Sequence, residues 1–280
     1  MKKLLPLFCA LIMLSSIIVG CAAPAAIPAA TPAAVTTADN SDTSLEDIKT
    51  KGYFTVGLDD SFPPMGYRDE SDEIVGFDID LARAVAKEMG VEVKFQPVAW
   101  ESIDTEINSK RVDVIWNGCT ITDERKAVFD FSDPYMLNTQ IVVVLADSPY
   151  QTLADLSGKV AGIQDGSSAN IALDSNPEFK DSLASISGYP SNDKALTDLA
   201  AGRTDCVVVD VCVFGYYFQL QPGTYRALDE SLGSEEFGIA FHQEADAFRE
   251  GLQTALDAVI ASGEATEISM KWFDKDVIAK

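Results

Sequence analysis

The feature that most limits the fold is a regular alternation of apolar runs with amphipathic ones, from Tyr53 to Phe273. YFTVGL, IVGF, VEVKFQPV, VDVIW, TQIVVVLA, KVAGIQ, CVVVD and FGIAF read as strands. They are short, rich in β-branched and aromatic residues, and bounded by turn formers. Between them lie stretches with helical spacing. Ile79, Ala82, Val85, Ala86 and Met89 form one stripe, which Asp78 is placed to cap and Gly90 to stop. Ile103 and Ile107 mark a second helix, LADLSG a helical stub, and further helices start at Ser168 and run through KALTDLAAG. Strands separated by helices return to pair in parallel, so the pattern predicts an α/β fold with mainly parallel sheets.

An internal echo sharpens this. INSKRVDVIWNG and LAAGRTDCVVVD both read as a helix end, then Arg-x-Asp, then an apolar strand. Each half of the chain carries the same unit. Its strands finish at Asn117–Thr120 in one copy and at Asp210 in the other. In open α/β sheets ligands bind outside the carboxyl ends of strands. Two such ends facing one another would form a cleft with polar groups on both walls.

The chain opens MKKLLPLFCALIMLSSIIVGC, in which two lysines precede an apolar run and a small residue followed by cysteine. Residues 1–20 read as a signal peptide. The ending IVGC resembles a bacterial lipobox, which implies a lipidated Cys21. The rest of 21–44 is rich in Ala, Pro and Thr with no apolar period, as expected of a flexible tether. Beyond Ser44 the chain is long enough for two domains. With 21 basic and 44 acidic residues, a net charge of -23 argues against nucleic acid and anionic lipid as partners. Cys119, Cys206 and Cys212 are odd in number and lack a framework spacing. If CVVVDVC is extended, its two ends lie roughly 20 Å apart and cannot pair.

The densest polar stretch is NGCTITDER, Asn117 to Arg125, after the strand VDVIW. Hydroxyls, backbone amides and one guanidinium suit a carboxylate or a phosphate. Arg125 reads either as a surface arginine paired with Asp123 or Glu124, or as a two-bond clamp beside Thr120. Asp210 reads as the N-cap of a helix VCVFGYYF, as a lone carboxylate suited to an ammonium, or as both. In GLDDSFPPMGY, Asp59 and the prolines set a turn, while Phe62, with Trp100, would wall an aliphatic stem or a flat polar group. In GIQDGSSAN, Gly162 to Asn170, Ser167 and Ser168 form a helix cap that is also an anion site. His242 is the only histidine. No phosphate loop, nucleophile elbow or metal-spaced cluster is present, so neither catalytic residues nor a metal or cofactor are expected.

These landmarks together resemble the bacterial extracellular solute-binding proteins that feed polar amino acids to ABC importers. VGLDDSFPPMGY, IVGFDIDLARAVAKEMG, INSKRVDVIWNGCTITDERKAVFDFSDPYM, GKVAGIQDGSS and LAAGRTDCVVVD occur in family order from Leu45 to Lys280. The resemblance implies a two-lobed, type II-like periplasmic-binding-protein fold with two hinge strands. Lobe 1 would be 45–138 plus 233–280, and lobe 2 139–232. It implies Arg125 and Thr120 on the ligand's α-carboxylate, with amides near Ser167 and Ser168. Asp210 and the Gly118 carbonyl would take the α-ammonium. Phe62 and Trp100 would flank the side chain, and Asp59 and Gln164 would face it. Asn117 stands where many members have serine, and Ala169 where some have a longer polar residue. The implied protein is a monomeric, lipid-anchored amino-acid carrier on the outer face of the cell membrane. Its partners would be importer transmembrane subunits and a polar or cationic amino acid. Two other readings remain: a small-carboxylate lyase of the cyclohexadienyl dehydratase type on the same fold, and a sensory module.

Overall fold

The computed structural model describes residues 42–279; the signal segment 1–20, Cys21 and the tether up to Ser41 lie outside the described residues. Ordered elements begin with helix α1 (Ser44–Lys51), followed by strand β1 (Tyr53–Leu58). A small antiparallel sheet of β2 (Ser61–Phe62), β3 (Gly66–Arg68) and β4 (Ile74–Val75) leads into α2 (Phe77–Met89). Then come β5 (Glu92–Pro97), α3 (Ile103–Asn108), β6 (Val114–Thr120), α4 (Asp123–Lys126), β7 (Asp130–Phe131) and β8 (Met136–Leu145). The next stretch holds β9 (Val160–Gln164), α5 (Ala169–Asp174), α6 (Pro177–Ser182), β10 (Ser185–Tyr189), α7 (Asn192–Ala200) and β11 (Cys206–Asp210). It closes with α8 (Val211–Leu220), β12 (Tyr225–Phe241), α9 (Asp246–Ser262) and α10 (Glu264–Phe273).

The main sheet runs β10-β9-β11-β8-β12-β6-β1-β5, with β7 beside β12. Both outer parts are parallel: β1 pairs with β5 and β6, and β9 with β10 and β11. The two central strands are antiparallel to their neighbours and to each other, and they carry the chain between the parallel halves. β12 is long enough to serve both halves. It pairs with β8 from Tyr225 to Phe237 and with β6 from Phe237 to Phe241. The result is a two-lobed α/β protein bridged by two strands.

The strands sort their side chains by alternation. Val143, Val207 and Val209 enter one core cluster, whereas Val142, Val144, Cys206 and Val208 enter another beneath Leu173 and Phe179. Both faces of β8 and β11 are therefore covered, which explains why these strands read as unbroken apolar runs. On α2 the predicted stripe is buried apart from the half-buried Met89, and Gly90, at φ 73°, ends the helix with its N–H on Ala86 and Lys87 carbonyls.

Several expectations change. Gly76, not Asp78, occupies the N-cap of α2. Asp78 is instead buried in the first turn, where its Oδ2 accepts from Gly118 N (2.7 Å) and Tyr135 OH (3.0 Å). Burial pushes this carboxyl up to about 7, against the hydrogen bonds from Gly118 and Tyr135. CVVVDVC is not one extended segment: Cys206 ends up in β11 and Cys212 in α8, both buried, and these two and Cys119 are free thiols. FGIAF is only the last part of β12, whose earlier residues are masked in sequence by Asp, Glu, Ser and Gly. β12 also shifts register near Ser231 and Gly233, so no period-2 pattern survives there.

Candidate functional site

Arg125 is placed by a short helix that begins at its own cap. Thr122 Oγ1 accepts from Arg125 N at 3.1 Å, which turns the side chain back over the end of β6. The residue is 9% exposed, and none of the ion pairs found among the described residues includes it. Nη1 donates to Thr120 O (2.9 Å) and Nη2 to Gly166 O (3.1 Å), and the group lies 5.7 Å from the Trp100 ring. The reading of a surface arginine paired with Asp123 or Glu124 therefore does not hold. Two of its five N–H donors are used on carbonyls, and the remaining ones are available to an anion. Gly166 belongs to the opposite half. It stands at φ 71°, and a Cβ there would come within 2.9 Å of Glu101 Cα, so only glycine allows this approach.

Ser167 and Ser168 divide the roles expected of them. Ser167 Oγ donates to Gln164 O (2.8 Å) and accepts from Ala169 N (3.3 Å), which settles the start of α5. Ser168 is buried and its hydroxyl meets Thr120 Oγ1 (3.1 Å) across the cleft.

The side-chain wall is also assembled from both halves. Asp59 Oδ2 accepts from Gln164 Nε2 (2.6 Å), and its Oδ1 accepts from Ser61 N (2.9 Å). Asn117 Oδ1 takes Asp59 N (3.1 Å), while Asn192 Nδ2 donates to Gln164 Oε1 (2.9 Å). Burial raises the Asp59 carboxyl above its ordinary value, opposed by Ser61 and Gln164. Phe62 and Trp100 stand parallel, with planes within 1° and centroids 6.5 Å apart. Gly118 makes room for Phe62: it adopts φ 59°, and a Cβ would sit 2.9 Å from Phe62 Cε1.

Asp210 lies at the N-cap of α8 but makes no side-chain cap bond. Its Oδ1 accepts from Asn138 Nδ2 (2.7 Å) and Gln140 Nε2 (2.8 Å). The same two amides donate to Glu235 Oε1, at 2.6 and 2.9 Å. Sheet register explains the meeting. Asp210 of β11 pairs with Gln140 of β8, and Glu235 of β12 pairs with Asn138 two residues away on the same face. Burial, followed by the charge and hydrogen bond of Glu235, pushes the Asp210 carboxyl far above the usual carboxylate range.

Two open volumes flank this centre. One of about 970 Å³ is bordered by Thr120, Asn138, Gln140, Ser168 and Glu235; the other, about 290 Å³, is bordered by Trp100, Arg125, Gly166 and Ser167. Asp59, Phe62, Asn117, Gly118, Gln164 and Asp210 border neither. Gln164 and Asp59 close upon one another from opposite halves. Glu235, Asn138, Gln140 and Asn192 escape a reading of the sequence. Asn138 and Gln140 did leave a signal, as polar residues at alternate positions of an otherwise apolar strand. Glu235 left none, since in GSEE it looks like solvated surface.

Two α/β lobes joined by paired strands, with facing polar strand ends between them, define a solute-binding protein. The profile of the family described as bacterial extracellular solute-binding proteins, family 3, matches residues 54–275, and the chain belongs to this family. It is 28% identical over 235 residues to the L-cystine-binding protein TcyJ of Escherichia coli K12, covering 83% of this chain and 87% of that one. It is 34% identical over 222 residues to ABC transporter arginine-binding protein 1 of the same organism, covering 78% and 89%. Among solved structures, an ABC uptake transporter substrate-binding protein from Streptococcus pneumoniae with bound histidine superposes with a TM-score of 0.83. The two are 33% identical, over 86% of this chain and 99% of that chain. An ancestral amino-acid-binding protein, described as a precursor of cyclohexadienyl dehydratase, gives 0.75 at 31% identity, over 82% and 99%. No helix among the described residues is long and apolar enough to cross a membrane.

Proposed function

We propose that this protein captures an amino acid with a flat, cationic side chain, L-arginine first, and delivers it to an ABC importer. The observation that carries this reading is the joining of opposite charges through one hydroxyl bridge. Arg125 grips the carbonyl of Thr120, Thr120 meets Ser168, and Ser168 touches the amide that holds Asp210. A zwitterion fits such an axis. Its carboxylate goes to Arg125, Thr120 and the amides near Ser167 and Ser168, and its ammonium to Asp210 and the Gly118 carbonyl. A phosphate would meet two or more carboxylates and no second cation. The parallel faces of Phe62 and Trp100, with Asp59 and Gln164 at their side, suit a planar cation, which aromatic faces attract.

In this reading 45–138 plus 233–280 form one lobe and 139–232 the other, and the ligand stabilises their closed arrangement. The protein acts as a monomer, tethered through lipidated Cys21 outside the cell membrane, and binds without turnover. Relatives named for arginine, histidine and cystine binding support the ligand class, and the two relatives in Escherichia coli are named as binding proteins.

A thermal-shift screen of the twenty amino acids tests it. A ligand at 100 times its dissociation constant adds about 2.7 kcal/mol, which raises the melting temperature of a domain this size by about 5–11 °C. Arginine or histidine is expected to lead. A screen in which no amino acid moves the transition would refute the function, and conversion of a bound small acid seen by NMR would favour the lyase.

A further inference from the structure

Glu235 has no place in the carboxylate clamp or the aromatic wall, yet it is held as firmly as Asp210. Beyond two amides, the side-chain donor in reach of the two acids is the Ser168 hydroxyl, 3.3 Å from Glu235 Oε1. Gln140 Nε2, with two hydrogens, faces three acceptors: Asp210 Oδ1 (2.8 Å), Glu235 Oε1 (2.9 Å) and Ser168 Oγ (3.1 Å). Asn138 Nδ2 spends both hydrogens on the same two carboxyl oxygens. The amide oxygens on the other arm of these side chains, Asn138 Oδ1 and Gln140 Oε1, are buried and have no donor at all. Asn138 and Gln140 are 2% and 1% exposed, so the shortage is not made good by bulk solvent. Two carboxyls and two orphaned amide oxygens form a nest of acceptors, and such a nest needs hydrogen donors with positive charge.

We infer that Glu235 is the second half of the ammonium site: it is held beside Asp210 by the same two amides, Asp210 keeps a proton until an amino acid arrives, and the incoming α-ammonium, bound by both acids, displaces that proton to solvent. This rests on the proposed amino-acid function and names a specificity residue within that site. An ammonium supplies three N–H donors and a full charge, against one donor from that proton. The balance is simple. The ligand enters already as –NH3+, the carboxyl O–H bond breaks, both acids become carboxylates, and the proton passes to buffer. A neutral or N-acylated analogue cannot make the exchange, so the pair selects for a free, charged amino group.

The surroundings leave Asp210 as the group that titrates. From β6 come Thr120 and the buried thiol Cys119; from α4 come Asp123, Glu124 and Arg125; from α8 comes Cys212, and from β12 comes Glu236. Burial raises both thiols, so they stay protonated, and Arg125 stays charged. Asp210 is raised, with burial first and the Glu235 charge and hydrogen bond next. A neighbouring ammonium lowers it again, so affinity rises with pH across the interval between the two states.

The test is calorimetric titration of L-arginine into the mature domain, from pH 6 to pH 8, in phosphate and in Tris. The wild type should release close to one proton per ligand at the lower end. Its dissociation constant should improve by up to about tenfold per pH unit there. In Glu235→Gln, shown by circular dichroism to be folded, proton release and pH slope should shrink, because burial alone still raises Asp210. Tight binding that is independent of buffer and pH, or a Glu235→Gln variant with the proton release and pH slope of the wild type, overturns the inference while leaving the amino-acid function standing. Should neither arginine nor any other amino acid bind, the function itself fails. Infrared difference spectra of the protein alone, wild type against Glu235→Gln, then judge the pair. A protonated-carboxyl band shifted or weakened in the variant supports Glu235 beside the protonated Asp210, and identical spectra refute it.

Discussion

Replacing Arg125 with alanine removes three interactions at once. The guanidinium loses Thr120 O and Gly166 O, at 2.9 and 3.1 Å, and its place 5.7 Å from Trp100. The first bond lies within one half of the fold and the second ties the two halves together. Each is a hydrogen bond from a charged donor, worth about 1.5–3 kcal/mol when buried, so the variant should lose stability as well as affinity. The binding loss comes from the ligand carboxylate left without its counter-charge in a site that is only 9% exposed at this residue. Truncating one partner of such a pair costs roughly 2–5 kcal/mol, or about 30- to several-thousand-fold in dissociation constant. Arg125→Lys should recover only part, because an ammonium on one stem cannot hold Thr120 O and grip a carboxylate with two parallel bonds. Calorimetry with L-arginine at fixed pH gives the affinities, and urea unfolding of each variant separates stability from binding. If folded Arg125→Ala binds within threefold of wild type, the carboxylate does not sit at Arg125, and the charge axis proposed for the cleft is wrong.

Two further perturbations follow from buried groups beside β6. The Asp78 carboxyl is raised to about 7 by burial, above its ordinary value of 3.8. Its stabilising contribution is therefore fully present below the ordinary carboxylate range and lost as pH rises to about 7. Asp78→Asn should weaken this dependence, gaining on wild type in urea unfolding between pH 5 and pH 8; parallel curves would refute it. Gly118→Ala forces a β-carbon to within 2.9 Å of Phe62 Cε1 at φ 59°. It should cost about 1–3 kcal/mol of stability and weaken ligand binding, both measurable by melting and calorimetry; an unchanged melting temperature would refute the close packing.

The sequence by itself determined the class of fold. Alternating periods of two and 3.6 appear wherever a strand or helix buries one face or both, and these are local properties. It also marked Thr120 and Arg125, because the strand end and the arginine beyond it lie in one short run. The Arg-x-Asp echo pointed to the two strand ends that face each other. Only the tertiary structure decided who meets whom there. Asp210 finds its amides 70 and 72 residues away, and Glu235 reaches the same amides from 95 and 97 residues away. Those meetings depend on the register of β11, β8 and β12; the valines of β8 and β11 pack alternately on two separate cores, and β12 pairs along β8. A glutamate in GSEE carries no local mark of that register. Its place beside those amides is created when β12 crosses between the lobes, and so the charge that most alters the chemistry of Asp210 was invisible until the sheet was assembled.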